Sequence, residues 1–315
     1  MTFVKNFSEI NKSSVGEAGG KGASLGEMTE AGIPVPPGFV VLAPAFDIFL
    51  KTAGLEAKVQ ETINAVDYGD VSSVDAASAK IRDLILQEKF PEDISREVSN
   101  SFLKLGAEFV AVRSSATAED GSQDSWAGEL ESYLNTSEKN LLENVKKCWS
   151  SLFTPRAMVY RNEKGLTKSH VSVAVVVQKM VQSEVAGVAF TTHPVTEDPN
   201  QMIIEGALGL GEMVVSGQVT PDSFVVNKTS KHIEETMVND QEEMMIRSED
   251  GNKKVSTPSD KKSAQKLSNE HVLELAEICS RIENHYGFPC DIEWGFEKGK
   301  FYIVQSRPIT TLGAK

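Results

Sequence analysis

A change of texture near Val171 limits the fold of this chain more than any other feature. Before it, apolar residues recur at helical spacing. After it, short β-rich runs follow one another with turns between them. Ala79, Leu84 and Ile85 mark an amphipathic helix over 75–88. Ile94, Val98, Phe102 and Leu105 mark another over 91–105, with Pro91 suited to a first helical position. Residues 138–153 predict a third helix, and 109–113 a short strand. Residues 171–180, 186–191, 202–206, 223–226 and 301–305 read as strands. Residues 269–286 read as one long helix, with Val272, Leu275, Ile278 and Ile282 on one face and Gly287 as its stop. Residues 242–259, charged and turn-rich, predict a surface hairpin. The opening, 3–49, is glycine-rich and proline-punctuated and reads as loops between short elements. The expectation is a mixed α/β (α+β) chain in two parts, residues 1–190 and 191–315.

Composition narrows the function classes. At 315 residues the chain buries roughly three quarters of its unfolded surface, so its core needs neither disulfides nor a structural metal. Its net charge of −13 argues against a nucleic-acid backbone or an anionic membrane as partner. A polyanionic ligand then requires local positive charge. Cys148, Cys279 and Cys290 are too scattered for a disulfide framework or a zinc site, which fits a reducing cytoplasm. The first ten residues lack the apolar run of a signal peptide, and no apolar run is long enough to span a bilayer.

Five segments carry possible chemistry. Gly19-Gly20-Lys21-Gly22-Ala23-Ser24-Leu25-Gly26-Glu27-Met28 sets glycines around one lysine, so backbone N–H groups can approach a phosphate. It is not a Walker A loop, and a turn before a helix accounts for it equally. Val112-Arg113-Ser114-Ser115-Ala116-Thr117-Ala118-Glu119-Asp120 delivers an arginine on a strand into a hydroxyl-rich loop. Arginine grips phosphate oxygens bidentately, and an acid-rich chain also offers it carboxylate partners. In Asp291-Ile292-Glu293-Trp294 strand alternation puts both carboxylates on one face. After the turn at Lys298-Gly299-Lys300, the second strand ends in Gln305-Ser306-Arg307-Pro308. The two strands pair in this reading. The resulting carboxylate–amide set suits Mg²⁺ together with substrate phosphates, and Arg307 suits a moving phosphoryl group. Otherwise the carboxylates simply face solvent. Gln178-Lys179-Met180-Val181 ends an apolar strand and offers a flat base Met180 and nearby backbone. Gly206-Ala207-Leu208-Gly209-Leu210-Gly211-Glu212 lacks dinucleotide-fingerprint spacing and reads as a close-packed turn, with Glu212 a secondary candidate. His170, His193, His232, His271 and His285 read as structural or solvent-facing.

The order of these motifs resembles one family, the ATP-binding N-terminal domain of phosphoenolpyruvate synthase and pyruvate phosphate dikinase, a domain shared with rifamycin phosphotransferase. The likeness extends over essentially the whole chain. It implies an ATP-grasp fold with the nucleotide between two subdomains, and ATP and Mg²⁺ as ligands. By the resemblance Lys21 and Arg113 hold phosphates, and Gly128 and Ser132 lie in a lid over the nucleotide. Gln178 faces the adenosine beside the Met180 backbone. Glu293 and Gln305 hold Mg²⁺, Arg307 contacts the transferring phosphate, and Asp291 matches an acidic position. Full-length relatives carry a catalytic histidine in a Thr-Ser-His-Ala-like loop on a swivelling domain. Thr167-Lys168-Ser169-His170 echoes that loop but leads into a strand, so it is set aside. The implied reaction splits ATP to AMP and phosphate and passes the β-phosphate to a histidine on a separate or missing domain. The alternatives are the first domain of a rifamycin phosphotransferase and a nucleotide-binding module without turnover.

Overall fold

In the computed structural model, residues 2–117, 130–168, 171–248, 251–310 and 312 are described. They form two compact units. One holds residues 1–27 and Pro37–Met180, and the other holds Met28–Pro36 and residues 181–315. Sequence texture placed the division near 190. The valine-rich strand at 173 belongs to the first unit, and the chain passes to the second at Met180.

The first unit has strands β1 (Val4–Asn6), β2 (Gly38–Val41), β3 (Val110–Ala116), β4 (Ser132–Thr136) and β5 (Val173–Lys179). They form one sheet in the order β1-β2-β5-β3-β4, every neighbouring pair antiparallel. The central β5 is buried along Val173–Gln178, which is why its sequence is continuously apolar instead of alternating. Helices α1 (Val15–Glu30), α2 (Ala43–Thr52), α3 (Glu56–Asn64), α4 (Val71–Gln87), α5 (Glu92–Leu105), α6 (Glu138–Ser150) and α7 (Pro155–Glu163) accompany the sheet. Trp149 of α6 is fully buried and centres the core. Phe90 stacks on it at 5.0 Å, and Phe49 and Phe46 lie at 5.1 and 5.6 Å between ring centroids. Such pairs add about 0.5–1.5 kcal/mol each beyond area burial.

The glycine-rich opening corrects the expectation of loops. A helix runs through it, interrupted only at Gly19, where φ is 67°. Ala18, Ala23, Leu25 and Met28 are buried along this helix. Its glycines serve close packing, not flexibility. A Cβ at Gly26 would lie 2.4 Å from the Ile10 carbonyl oxygen. Tertiary contact thus overrides the poor helix propensity of glycine.

The second unit contains a six-stranded antiparallel sheet ordered β13-β12-β6-β7-β8-β9. Its strands are β6 (Val185–Phe190), β7 (Gln201–Leu208), β8 (Asp222–Asn227), β9 (His232–Met237), β12 (Cys290–Glu297) and β13 (Lys300–Pro308). Strands β10 (Glu243–Ser248) and β11 (Gly251–Ser256) make the separate hairpin expected from sequence. The short helix α8 (Glu212–Val215) follows β7. The long helix α9 (Asn269–Tyr286) has the bounds read from sequence. Ser268 caps α9 by accepting from the His271 N–H at 3.2 Å, and left-handed Gly287 ends it. Val272, Leu275, Cys279 and Ile282 are buried on its apolar face. Asp222 and Lys266, both essentially unexposed, pair at 3.1 Å. Asp222 also accepts backbone N–H groups of Asn239 and Lys266, which ties β8 to two loops. Among the described residues, no helix is long and apolar enough to cross a membrane.

Candidate nucleotide-binding residues

In the first unit the candidates converge through register. Ala111 pairs with Gln178, Arg113 with Val176 and Ser115 with Ala174 across β3 and β5. Arg113 also pairs with Ser132 on β4. Residues directly opposite share a face, so Arg113, Ser115, Ser132 and Gln178 lie on one side of the sheet. Ser114 points the other way, where its hydroxyl meets the Cys148 carbonyl and the Ser151 hydroxyl. The start of β4 is anchored by Glu131, which accepts from Arg82 at 2.9 Å and from the Tyr133 hydroxyl.

Ser115 holds the α1 backbone on either side of Lys21 against the same face. Its hydroxyl donates to the Ala18 carbonyl at 3.0 Å and accepts from the Gly22 N–H at 3.3 Å. A Cβ on Gly19 would stand 2.2 Å from that hydroxyl oxygen. Gly19 therefore meets two demands at once, a left-handed backbone and direct contact with β3. Lys21, one residue before Gly22, is fixed beside the strand that carries Arg113. Gln178 is only 2% exposed. The Met180 N–H donates to the Phe109 carbonyl at 3.0 Å, so its carbonyl is the backbone group left to meet a base. Gly128 lies outside the described residues.

In the second unit β12 and β13 pair as the alternation suggested, and Glu293 stands opposite Gln305 and Asp291 opposite Arg307. Simple counting from the Lys298-Gly299 turn does not give that register. From Glu297↔Lys300 to Trp294↔Ile303 each residue meets the expected partner, which would put Glu293 opposite Val304. A β-bulge between Glu293 and Trp294 absorbs Val304 and moves Gln305 and Arg307 into place. Ile303 stays in the core with Trp294, while Gln305 joins Glu293.

Arg307 is engaged by its own strand partner. Its Nε and Nη2 donate to Asp291 Oδ2 at 2.8 and 2.7 Å. Burial pushes the Asp291 carboxyl above its ordinary range. Arg307 opposes that shift, and the nearby Glu293 charge adds to it. The same face carries a carboxylate that sequence reading missed. Glu293 pairs with Val188 on β6, and Val188 pairs with Glu205 on β7. Burial raises the Glu205 carboxyl as well. No alternation marks it in the sequence, because Met202, Ile203, Ile204 and Ala207 around it are all buried. Glu212 Oε2 accepts from Asn252 on β11 at 2.9 Å. Gly209, at φ 88°, packs on the Met245 carbonyl as a tight turn.

None of the three thiols belongs to either group of candidates. Burial pushes Cys148 and Cys290 up to about 12 and Cys279 higher still, which leaves them unreactive. Of the histidines, His193 accepts the Val195 N–H in a turn, His232 meets the Ser230 hydroxyl, and His271 packs on Phe296. His285 stands edge-on to Tyr286. His170 lies outside the described residues.

Comparison with known proteins places these residues in context. Residues 15–315 match the family model described as pyruvate phosphate dikinase, AMP/ATP-binding domain. A probable phosphoenolpyruvate synthase of Methanocaldococcus jannaschii is 47% identical over 320 residues, which cover 99% of this chain and 27% of that protein. A probable phosphoenolpyruvate synthase of Methanothermobacter thermautotrophicus is 44% identical, over 99% of this chain and 46% of the relative. The rifampicin phosphotransferase of Bacillus subtilis is 38% identical, over 99% and 36% respectively. The chain thus spans less than half the length of these relatives. On the match across 15–315, the chain belongs to the family of pyruvate phosphate dikinase AMP/ATP-binding domains.

Proposed function

We propose that the chain is the ATP- and Mg²⁺-binding part of a phosphoenolpyruvate synthase-like phosphotransferase with an ATP-grasp fold. The observation that carries this reading is the bulged pairing of β12 with β13. It sets a carboxylate, an amide oxygen and an arginine on one sheet face at successive paired positions. Glu293 and Gln305 are hard oxygen donors, as Mg²⁺ prefers. Among the described residues no three of His, Cys, Asp and Glu gather to cage a metal, so the phosphates of the nucleotide would complete the coordination. Bound there, Mg²⁺ would neutralise phosphate charge and fix phosphate geometry. Lys21 and Arg113 would grip the phosphates, and Gly128 and Ser132 would close over them. Gln178 and the Met180 carbonyl would meet the adenosine.

Phosphoryl transfer gives a protein little covalent work, so positioning and charge stabilisation carry the catalysis. Arg307 would leave Asp291 for the phosphoryl group as negative charge develops, and Asp291 would aim the guanidinium beforehand. ATP and water would give AMP and phosphate, the γ-phosphoryl group ending on water and the β-phosphoryl group on a histidine of another domain, in cis or in trans. Pyruvate would be the final acceptor. The 38% identity with a rifampicin phosphotransferase favours one second reading, in which the final acceptor is an antibiotic.

Calorimetric titration with ATP, with and without Mg²⁺, tests the site. Binding should require Mg²⁺ and weaken at least tenfold in Arg113→Ala. Equal binding by wild type and variant would overturn the assignment. Incubation with [β-³²P]ATP and a histidine-bearing domain of a relative should label that domain. ATP binding without any transfer would favour a module without turnover.

A further inference from the structure

Gly19 breaks α1 where a helix would otherwise run on, and a side chain from β3 occupies the break. In a continuous helix the Ala18 carbonyl accepts the Gly22 N–H. Here the Ser115 hydroxyl takes both partners. It donates to the Ala18 carbonyl at 3.0 Å and accepts from the Gly22 N–H at 3.3 Å. Ser115 is fully buried, so water does not compete for either bond. A side chain inserted into the helical ladder produces a sharp kink, and Gly19 is the residue that turns, at φ 67° and ψ 172°. Beyond the kink the helix starts again at Gly20, and Gly22 is its third residue. The side chain ahead of a helix ordinarily caps the N–H of that residue. Gly19 has no side chain, and Ser115 supplies the oxygen from another strand.

The restarted helix lies on the sheet face that carries Arg113. Val40 of β2 pairs with Val176 of β5, and Val176 pairs with Arg113 of β3. Residues in such a row share a face. A Cβ on Gly22 would stand 3.1 Å from a Val40 methyl carbon, so Gly22 sits over that row. Ser115 follows Arg113 by two positions on β3 and therefore shares its face. Lys21 immediately precedes Gly22. Its backbone is thus held by an apolar anchor on β2 and a polar anchor on β3.

We propose that Ser115 is a positioning residue for Lys21: its hydroxyl, wedged between the Ala18 carbonyl and the Gly22 N–H, keeps α1 kinked and Lys21 on the face of Arg113. The proposal rests on the nucleotide reading, in which Lys21 and Arg113 hold the phosphates. Without the hydroxyl, the Ala18 carbonyl and the Gly22 N–H close the ordinary helical bond. The helix then straightens through Gly19 and carries Lys21 away from its place. Ser115 itself touches no phosphate in this role and acts only through the lysine.

The test is a double-mutant cycle read by calorimetric titration with ATP and Mg²⁺. It compares wild type, Ser115→Ala, Lys21→Ala and the double variant. Ser115→Ala should weaken ATP binding about three- to tenfold. In the Lys21→Ala background the same change should alter affinity less than about twofold, because the residue it positions is gone. A serine that merely stabilises the fold would weaken binding equally in both backgrounds, and that result would overturn the proposal. Wild-type affinity in Ser115→Ala would also overturn it while leaving the nucleotide reading intact. Failure of the wild type itself to bind ATP would overturn that reading, and the proposal with it. Should Ser115→Ala fail to fold, Ser115→Cys keeps a similar volume with only a weak donor and acceptor. It should show the same loss and the same dependence on Lys21, and wild-type affinity in it would refute the role of the hydroxyl.

Discussion

Gly19 decides where Lys21 stands. Its φ of 67° and its contact with Ser115 leave no room for a side chain. Gly19→Ala should therefore lose about 2–4 kcal/mol of stability from left-handed strain and overpacking combined. Urea unfolding would measure this, and a loss below 0.5 kcal/mol would show that α1 relaxes away from β3. Arg307 belongs to the same scale. Arg307→Ala should cut phosphoryl transfer by about 10³-fold or more while changing ATP affinity less than tenfold. Equal losses in both would count against action on the moving phosphoryl group. Asp291 offers a pH signature. Its folded-state pKa is raised, so the folded protein holds this proton more tightly than the unfolded chain does. The stability it contributes is full below the ordinary aspartate value, about 3.9, and is lost as pH rises through the raised folded value. Stability curves of wild type and Asp291→Asn should diverge in that sense over acidic pH and run parallel above it.

Among the elements, the β12–β13 hairpin shows what a sequence reveals and what it hides. Alternation of Asp291 and Glu293 against Ile292 and Trp294 predicted both the strand and its polar face, and the Lys298-Gly299 turn predicted the pairing. The bulge was invisible because Val304 is an ordinary strand residue, and only the competition between Ile303 for the core and Gln305 for Glu293 forces it. Likewise α1 was read as loops, since glycine signals freedom until its contacts with Ile10 and Ser115 are known. Glu205 was passed over because one carboxylate in a strand carries no signal until β6 places it in the row of Glu293. The caps of α9, by contrast, were legible. Ser268→Ala should cost about 1 kcal/mol through the lost cap, seen as a lower urea midpoint with an unchanged slope. A neutral result would mean that water replaces the hydroxyl.

At the scale of the whole molecule, net charge and local charge oppose each other. A protein of −13 repels ATP at long range, whereas Lys21, Arg113 and Arg307 sit within the candidate motifs. Raising ionic strength from about 10 to 150 mM shortens the Debye length from about 30 to 8 Å and weakens that repulsion. The association rate of a fluorescent ATP analogue, followed by stopped flow, should therefore rise with salt. A fall would mean that the arginines and lysine dominate the approach path.

The buried thiols give the protein an internal clock for its own opening. Cys148 is sealed in the first unit, and Cys279 and Cys290 in the second. An alkylating reagent reaches each only when the surrounding core parts. The order in which peptides bearing the three residues acquire the label is then the order in which the two units come undone, read from one chain without any engineered reporter.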